Sequence, residues 1–371
     1  MTSAARLVAL AIRNDEFQAD RVFDPVAIAA MRESLHPVAL PWVAVRQRAR
    51  EHGLTLVTAD QVARQGGGGD PRSVRVIAYD WPPAAQALLA QGARPALLTT
   101  LEPPVIAWSF YKTLPTTSRR FPHALVFAGA RARLAPGCAF HELRYPLAPV
   151  AGPGAARPWL DRPGYLVMVN SNKAIVRAMA RVFDRPRELS FKRLLAGYRY
   201  PPIRAELYSE RLRAILFFAR RPDFDLYGEG WQRRHPAVGL AQHAAALAAY
   251  RGPARDKLAT LAGYRFALTF ENARFPGYVS EKLFDALRAG CIPVYDGAPD
   301  VDRYVPPEAF VDARRFASYA SLDAFLRAMP RSTAERYLEA GKAYLRSAAY
   351  ESFSAAAFAR QIVAAVESVP V

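Results

Sequence analysis

The residues with the clearest chemical potential lie in one segment, FENARFPGYVSEKLFDALRAGCIPVYDGAP at 270–299. A predicted buried strand ends at Phe270, and a Pro-Gly pair in the following loop stops it from continuing. Ser280 is a good N-cap residue, so a helix is predicted to begin directly after it and to end at Gly290. Lys282 is unusual there, because a cation in the first helical turn opposes the helix dipole by about 0.3–1 kcal/mol.

Two interpretations of Lys282 are open from spacing alone. The N-terminus of a helix is a ready-made anion site, so the ammonium group could contact a bound phosphate. Alternatively, Glu281 neutralises the lysine, or the flexible side chain extends into solvent. The pattern therefore indicates a phosphate site without establishing one.

Other groups that often perform chemistry give weaker patterns. Asp300 and Asp302 form a D-x-D sequence that could hold a divalent cation, but they follow the predicted strand in a loop, and we expect no metal requirement. Cys138 and Cys291 have no Cys or His neighbour at metal spacing and cannot form a disulfide framework. No ligand spacing relates the histidines, which are His36, His52, His123, His141, His235 and His243.

The chain has 371 residues, of which 51% are hydrophobic, so wholesale disorder is excluded. The net charge is +17, but only six of the 50 basic residues are lysines, and the arginines are spread along the chain. Without a basic tail, nucleic-acid binding is not expected. A polyanionic ligand or an acidic membrane surface is the more expected partner, because either can bind to a diffuse positive electrostatic field. A basic stretch within 173–200 could meet acidic lipid or acceptor, or be a solvated helical face.

No apolar run approaches the about 18–20 residues that cross a bilayer. The N-terminal apolar run is followed by Asn14, Asp15 and Glu16 without a signal-peptide cleavage pattern. We expect a first β-strand there, and a cytoplasmic protein that contacts the inner membrane peripherally.

Short, continuous apolar runs alternate with helical patterns, which is typical of parallel strands covered on both faces. Strands are predicted at 5–12, 54–59, 74–79, 96–100, 124–129, 164–170, 224–228, 264–270, 291–297 and 308–313. The pattern predicts the α/β class with βαβ units. The GGGG at 66–69 precedes a strand, so it is predicted to be a surface loop and not a phosphate loop.

The domain boundary is predicted at a Pro-, Gly- and Ala-rich stretch. An N-terminal Rossmann-like domain is expected at 1–150, a linker at 151–163 and a second domain at 164–345. The tail at 346–371 is expected to form a helix that packs back on the first domain. Two doubly wound domains facing a cleft would place ligands at the carboxyl ends of their strands.

The segment at 270–299 resembles the donor-binding signature of glycosyltransferase family 10, the α-1,3/1,4-fucosyltransferases. Members carry FEN, then YV(T/S)EKL, then AG-x-(I/V)-PV-x-x-G-(A/S)-P. This chain carries FEN at 270–272, YVSEKL at 278–283, AG at 289–290, IPV at 292–294 and GAP at 297–299. The resemblance implies the GT-B architecture, with Asn272, Tyr278, Glu281 and Lys282 around a GDP-fucose donor.

Two further positions follow from the same resemblance. In the family, an arginine opens a helix about sixteen residues before a D-x-Y-G strand end. Counting back from Tyr227 gives Arg211, which the resemblance implies contacts the donor diphosphate. Arg204 is the alternative candidate for this contact. The non-functional interpretation of Arg211 is an ordinary solvated arginine on a helix. NSNK at 170–173 resembles the family's SN motif, which adds Asn172 to the donor site.

A third segment, LLTTLEPPVIAWSFY at 97–111, contributes Glu102 after a predicted strand. Family members have a glutamate at this place, in E-S-P or G-E-N contexts, and it is proposed as the general base. A surface glutamate before a proline turn is the alternative. The resemblance is weak over the rest of 1–160, as expected if the first domain selects the acceptor.

These residues together imply an inverting fucosyltransferase that transfers L-fucose from GDP-fucose. The acceptor would be a hydroxyl of a glycan or lipopolysaccharide, O3 of N-acetylglucosamine or glucose. Glu102 would remove its proton, while Arg211 and Lys282 would stabilise the departing GDP without a metal or a tightly bound cofactor. The alternatives are a GT-B enzyme that uses another nucleotide sugar and a basic, non-catalytic binding protein.

Overall fold

The computed structural model describes residues 6–31, 35–65, 70–149, 158–172, 204–235 and 238–370. The chain divides into two compact units, the first comprising 1–150 with 351–371 and the second comprising 151–350. The predicted GGGG loop, most of the predicted linker and the basic stretch within 173–200 lie outside the described residues.

The first unit is built on a six-stranded, fully parallel sheet in the order β2-β1-β3-β4-β5-β6. Its strands are β1 Arg6–Ala11, β2 Leu54–Thr58, β3 Arg75–Tyr79, β4 Arg94–Thr99, β5 His123–Val126 and β6 Ala139–Glu142. The sequence predicted the first five strands and missed β6. Its residues are exposed or half-buried at the sheet edge, so they lack the apolar run that reveals a central strand.

The helices of the first unit connect these strands. They are α1 Pro25–Ala29, α2 His36–Glu51, α3 Val62–Gln65, α4 Pro83–Ala90 and α5 Trp108–Thr117. The C-terminal helix, Ala355–Glu367, also belongs to this unit and packs on α2. Trp42 of α2 meets Phe358 edge to face, with 5.5 Å between ring centroids. The N–H of Leu147 donates to the carbonyl of Phe353 over 2.7 Å, which holds the segment before the helix.

The second unit is built on a five-stranded parallel sheet in the order β11-β10-β9-β7-β8. Its strands are β7 Gly164–Val169, β8 Phe224–Tyr227, β9 Tyr264–Phe270, β10 Ile292–Asp296 and β11 Val311–Asp312. Its helices are α6 Tyr208–Phe218, α7 Leu240–Ala249, α8 Lys257–Ala262, α9 Glu281–Arg288, α10 Tyr319–Arg327, α11 Arg331–Leu345 and α12 Ala348–Glu351. In chain order the Ala355–Glu367 helix is α13.

The central strand β9 is buried along nearly its whole length, with Phe266 and Phe270 fully enclosed in the core of this unit. On α9 the predicted apolar face is present, since Leu283, Phe284 and Leu287 are buried. The core strand β9 and α9 thus leave little room for polar side chains within this part of the core, and polar residues concentrate where the strand ends. Within the described part of the chain, no helix has the length and apolarity that spanning a bilayer requires.

Candidate functional site

The carboxyl end of β9 carries a buried carboxylate. Glu271 is completely inaccessible to solvent. Its carboxylate accepts hydrogen bonds from the backbone N–H and the hydroxyl of Ser280, each over 2.7 Å. The prediction that Ser280 stands at the N-cap position is correct, but its side chain makes no capping hydrogen bond to the helix. The hydroxyl instead joins the end of β9 to the start of α9.

Lys282 completes this buried group. Its Nζ lies 3.0 Å from Ser280 Oγ, 3.3 Å from Glu281 Oε1 and 3.4 Å from Glu271 Oε2. The side chain is only 14% exposed, so the interpretation that it extends into solvent is wrong. The ion pair between Lys282 and Glu281, which was the second alternative to a phosphate contact, is present. The lysine is therefore held at the helix N-terminus by two carboxylates and not by one.

A second lysine supports the same group. Lys257, at the start of α8, lies 2.7 Å from Asp285 and 3.8 Å from Glu281. Burial alone would raise the pKa of Glu281, but Lys282 and Lys257 lower it to about 2. Glu281 is therefore ionised at any physiological pH. Sequence reasoning missed Lys257, because nothing in its local pattern distinguishes it from a surface lysine.

Arg211 lies in the first turns of α6 and is buried. Its guanidinium donates from Nε and Nη2 to the carbonyl of Phe270, over 3.0 and 2.7 Å, and from Nη2 to Asn272 Oδ1 over 2.8 Å. The Asn272 amide in turn donates to the hydroxyl of Tyr278 over 3.0 Å. Burial lowers the pKa of Arg211, and nearby Tyr208 and Glu271 oppose this. The structure thus joins three predicted residues in one network and shows that Arg211 is not a solvated surface arginine.

Asn172 follows β7 and closes another side of the site. Its amide nitrogen donates to the carbonyls of Gly230 and Arg233, over 3.0 and 2.8 Å. Its Oδ1 is buried and has no hydrogen-bond partner among the described residues. A small cavity is lined by Asn172, Arg211 and Trp231 together, so Asn172 and Arg211 face the same space.

Gly297, after β10, leaves room for this arrangement. A Cβ at this position would lie 2.5 Å from Cγ of Glu271 and would also overlap the hydroxyl of Tyr295. No side chain fits there unless the buried carboxylate moves. The G in the GAP sequence is therefore explained by close packing against Glu271.

Two further sequence candidates are Arg204, the alternative for the diphosphate contact, and the D-x-D sequence, the possible metal motif. Arg204 is exposed and precedes α6. Asp300 accepts a hydrogen bond from the Gly277 N–H over 2.9 Å, while Asp302 is exposed. Among the residues that the structure describes, no cluster of three or more His, Cys, Asp or Glu could hold a metal ion.

In the first unit, Glu102 lies just beyond the carboxyl end of β4 and is half-buried. Its backbone is fixed on both sides, since its N–H donates to Thr100 Oγ1 over 3.2 Å and its carbonyl accepts from the Tyr111 hydroxyl over 3.0 Å. The role as general base and the alternative of a surface glutamate before a proline turn both stay predictions. Glu142, another carboxylate of this unit, ends β6.

A carboxylate that sequence reasoning missed, Asp80, lies beside this position at the end of β3. Both Asp80 and the next residue, Trp81, have positive φ, at 61° and 51°. Such conformations cost about 1–3 kcal/mol each and concentrate at functional sites. Burial raises the pKa of Asp80 to about 6, although Thr100 and Arg13 oppose the shift. Its Oδ1 has no hydrogen-bond partner among the described residues.

The charges of Asp80 and Glu102 affect the same two buried tyrosines. Burial raises the pKa of Tyr79 and of Tyr111 well above the ordinary tyrosine value, and the charges of both carboxylates add to each shift. Two carboxylates with different backbone constraints thus share one end of the sheet. The pair could accept a proton from, or orient, a hydroxyl group bound there.

Asp80→Asn is expected to raise the thermal unfolding midpoint at about pH 8 and to leave it nearly unchanged at about pH 4. The folded-state pKa of Asp80 lies above its ordinary value of 3.8, so the unfolded chain ionises first and stability falls as the pH rises from about 4 to about 6, with the full cost present above that. Circular dichroism melts at both pH values measure this. Asp70→Asn, at an exposed carboxylate in the same unit, is the matched control. Equal shifts of Asp80→Asn at both pH values would contradict the assignment.

Residues 208–353 match the profile described as "Glycosyltransferase family 10 (fucosyltransferase) C-term". This span contains Arg211, Asn272, Tyr278, Glu281 and Lys282, whereas Asn172 and Glu102 lie outside it. The match confirms the family resemblance that the sequence motifs indicated.

Two curated relatives agree with this match. "Alpha-(1,4)-fucosyltransferase" of Arabidopsis thaliana is 42% identical over 64 residues, which is 17% of this chain and 16% of that protein. "Alpha-(1,3)-fucosyltransferase 4" of Mus musculus is 35% identical over 132 residues, which is 34% of this chain and 26% of that protein. The chain thus spans only 16% and 26% of these relatives' lengths.

Among solved structures, trehalose-6-phosphate synthase OtsA covers 98% of this chain and 99% of its own, with a TM-score of 0.57 and 8% identity. A likeness at this identity concerns the fold alone. It agrees with the two parallel-sheet α/β units described above, and the predicted GT-B fold class is confirmed.

Proposed function

Because residues 208–353 match the C-terminal domain of glycosyltransferase family 10, we propose that this protein transfers L-fucose from GDP-fucose to a sugar hydroxyl. One observation carries the proposal. The motif residues that the family resemblance assigns to the donor converge at the carboxyl end of β9, with Arg211, Asn272 and Tyr278 in one hydrogen-bonded network. Ligands of open α/β sheets bind at this end of the strands.

The donor diphosphate would be held by Arg211 and Lys282. Both cations are buried or nearly so, and low solvent exposure strengthens their attraction to a phosphate oxygen. Tyr278, Asn272 and Glu281 would fix the nucleotide sugar through hydrogen bonds. The Oδ1 of Asn172 has no hydrogen-bond partner within the described ranges, which supports a further contact, because this atom can accept a hydrogen bond from a hydroxyl or amine of the ligand.

The reaction would be a direct displacement. The acceptor oxygen forms a bond to the anomeric carbon of fucose, and the bond from that carbon to the phosphate oxygen breaks, with its electron pair leaving on GDP. The proton of the acceptor hydroxyl passes to Glu102. Such a single displacement inverts the anomeric configuration, and the positive charges of Arg211 and Lys282 stabilise the leaving diphosphate.

We further propose O3 of N-acetylglucosamine or glucose, in a glycan or lipopolysaccharide, as the acceptor. The net charge of +17 supports contact with an anionic membrane surface where such acceptors are assembled, and thus a cytoplasmic protein peripheral to the inner membrane. The basic residues are spread along the chain, and this distribution gives no support to nucleic-acid binding.

A thermal-shift series with nucleotide sugars tests the donor assignment. GDP and GDP-fucose are expected to raise the unfolding midpoint, whereas UDP- and CDP-sugars at the same concentration leave it nearly unchanged. A preference for UDP- or CDP-sugars would favour a different GT-B enzyme. Salt-sensitive DNA binding without any nucleotide response would favour a basic binding protein.

Turnover is expected to persist in excess EDTA at a rate within a few-fold of the untreated enzyme. Arg211 and Lys282 would supply the positive charge that a divalent cation supplies elsewhere. Product formation measured with and without EDTA checks this. Complete loss that Mn²⁺ restores would overturn the assignment of leaving-group stabilisation to these two residues.

A further inference from the structure

The ammonium group of Lys282 is already surrounded by acceptor atoms of the protein. It has three N–H donors, and three acceptors face it, from Ser280, Glu281 and Glu271. A phosphate oxygen that binds Lys282 must therefore replace at least one of them. The longest of the three contacts, at 3.4 Å, is the one to Glu271.

The two carboxylates that share Lys282 are not equivalent. Glu281 keeps a second cation, Lys257, at 3.8 Å, and its pKa is lowered to about 2. Glu271 is fully buried, and in the described part of the chain its other direct partners are the N–H and hydroxyl of Ser280. Burial raises the pKa of Glu271 above its ordinary value, and the attraction of Lys282 only partly offsets this.

Charged and titratable groups face Glu271 from each element packed around it. They are Lys257 of α8, Arg211 of α6, Tyr295 of β10, and Glu281 and Lys282 of α9. A diphosphate bound to Arg211 and Lys282 would add negative charge beside Glu271 and weaken the attraction that these two cations exert on its carboxylate. Both changes favour the neutral form of a buried carboxyl.

We propose that Glu271 is a positioning residue that holds Lys282 in the ligand-free protein and takes up a proton when a nucleoside diphosphate binds. This inference rests on the proposed donor site. The proton comes from solvent and is returned when GDP leaves. Once protonated, the carboxyl is neutral and can donate to Ser280 Oγ, which lies 2.7 Å away, so Lys282 is free to contact the phosphate.

The coupling has a defined sign. Because GDP binding raises the pKa of Glu271, GDP affinity falls as the pH rises from the ligand-free pKa to the GDP-bound pKa. Within that window the dissociation constant increases by up to about tenfold per pH unit. In Glu271→Gln the neutral side chain keeps the volume and one acceptor, so affinity in the window is expected to stay at the low-pH wild-type level.

Isothermal titration of GDP into the full chain tests this directly. Titrations in buffers of different ionisation enthalpy, from about pH 5.5 to 8.5, give the number of protons taken up per GDP. We expect wild type to take up more than about half a proton at the pH of steepest affinity change, and Glu271→Gln to lose that uptake. The variant also corrects for protons that the GDP phosphate itself exchanges.

Glu339→Gln is the matched control, since Glu339 is an exposed glutamate of the same unit paired with Lys342. It should titrate like wild type. If GDP binds but wild type and Glu271→Gln take up equal numbers of protons, this inference is overturned while the donor site stands. If GDP produces no binding heat in wild type or in Glu339→Gln, the donor site and the inference fail together. The wild-type titrations test the proposal even if Glu271→Gln does not fold. If wild type takes up no more protons on binding GDP than the GDP phosphate itself exchanges, the proposal is contradicted.

Discussion

Glu102→Gln is expected to lower kcat for fucosyl transfer by about 10²–10⁴-fold and to leave GDP affinity nearly unchanged. Glutamine keeps the size of the side chain but cannot accept the acceptor proton. The backbone of this residue is fixed by Thr100 and Tyr111, so the loop should keep its conformation. Transfer rates at saturating donor, GDP titrations and circular dichroism of both proteins measure the three parts of this expectation.

The neighbouring carboxylate provides the comparison that isolates Glu102. If Asp80 only orients the acceptor or the base, Asp80→Asn should raise KM or shift the pH profile more than it lowers kcat. Asp70→Asn should match wild type in every assay. A Glu102→Gln enzyme that retains more than about a third of the wild-type kcat would show that Glu102 is not the base. Glu142 would then be tested in the same way.

The second large effect is expected from Lys282→Met, which should weaken GDP binding by roughly tenfold to a hundredfold. The lysine would make a charge-assisted contact to the diphosphate, and such contacts contribute about 1.5–3 kcal/mol. The substitution should also lower stability, because it removes the cation that pairs directly with the buried carboxylate of Glu271. Calorimetry and thermal melts report the two effects separately.

A double variant distinguishes the binding role from the structural one. Lys282→Met with Glu271→Gln removes the uncompensated charge, so the melting temperature should return toward wild type while GDP binding stays weak. Lys342→Met, at an exposed lysine paired with Glu339, controls for the loss of a surface charge. Wild-type GDP affinity in Lys282→Met would mean that the lysine has only a structural role.

Strand prediction succeeded where burial leaves a signature in the sequence. The ten apolar runs all form strands, because parallel strands covered on both faces must be continuously apolar. The edge strand β6 carries no such run and was missed. The helix after Ser280 was predicted because its buried stripe and its terminal glycine are local features.

Side-chain partners were less predictable, since they depend on contacts between distant segments. Ser280 was expected to cap its own helix, but its hydroxyl bonds to Glu271, which lies on the preceding strand end. Lys257 and Asp80 carry no motif at all, and only the folded chain brings them to Glu281 and to the end of β4. The motif residues were identified by family resemblance, whereas the network that joins them required the structure.

Transfer of fucose from GDP-fucose is the activity that we propose for this chain. The most direct test is a glycan-array transfer assay with GDP-fucose, followed by mass spectrometry and NMR of the product. We predict addition of one fucose to glycans that present N-acetylglucosamine or glucose, with the anomeric configuration opposite to that of the donor and with Lys282→Met strongly impaired. Transfer from a UDP- or CDP-sugar with none from GDP-fucose, or retention of the donor configuration, would contradict the account.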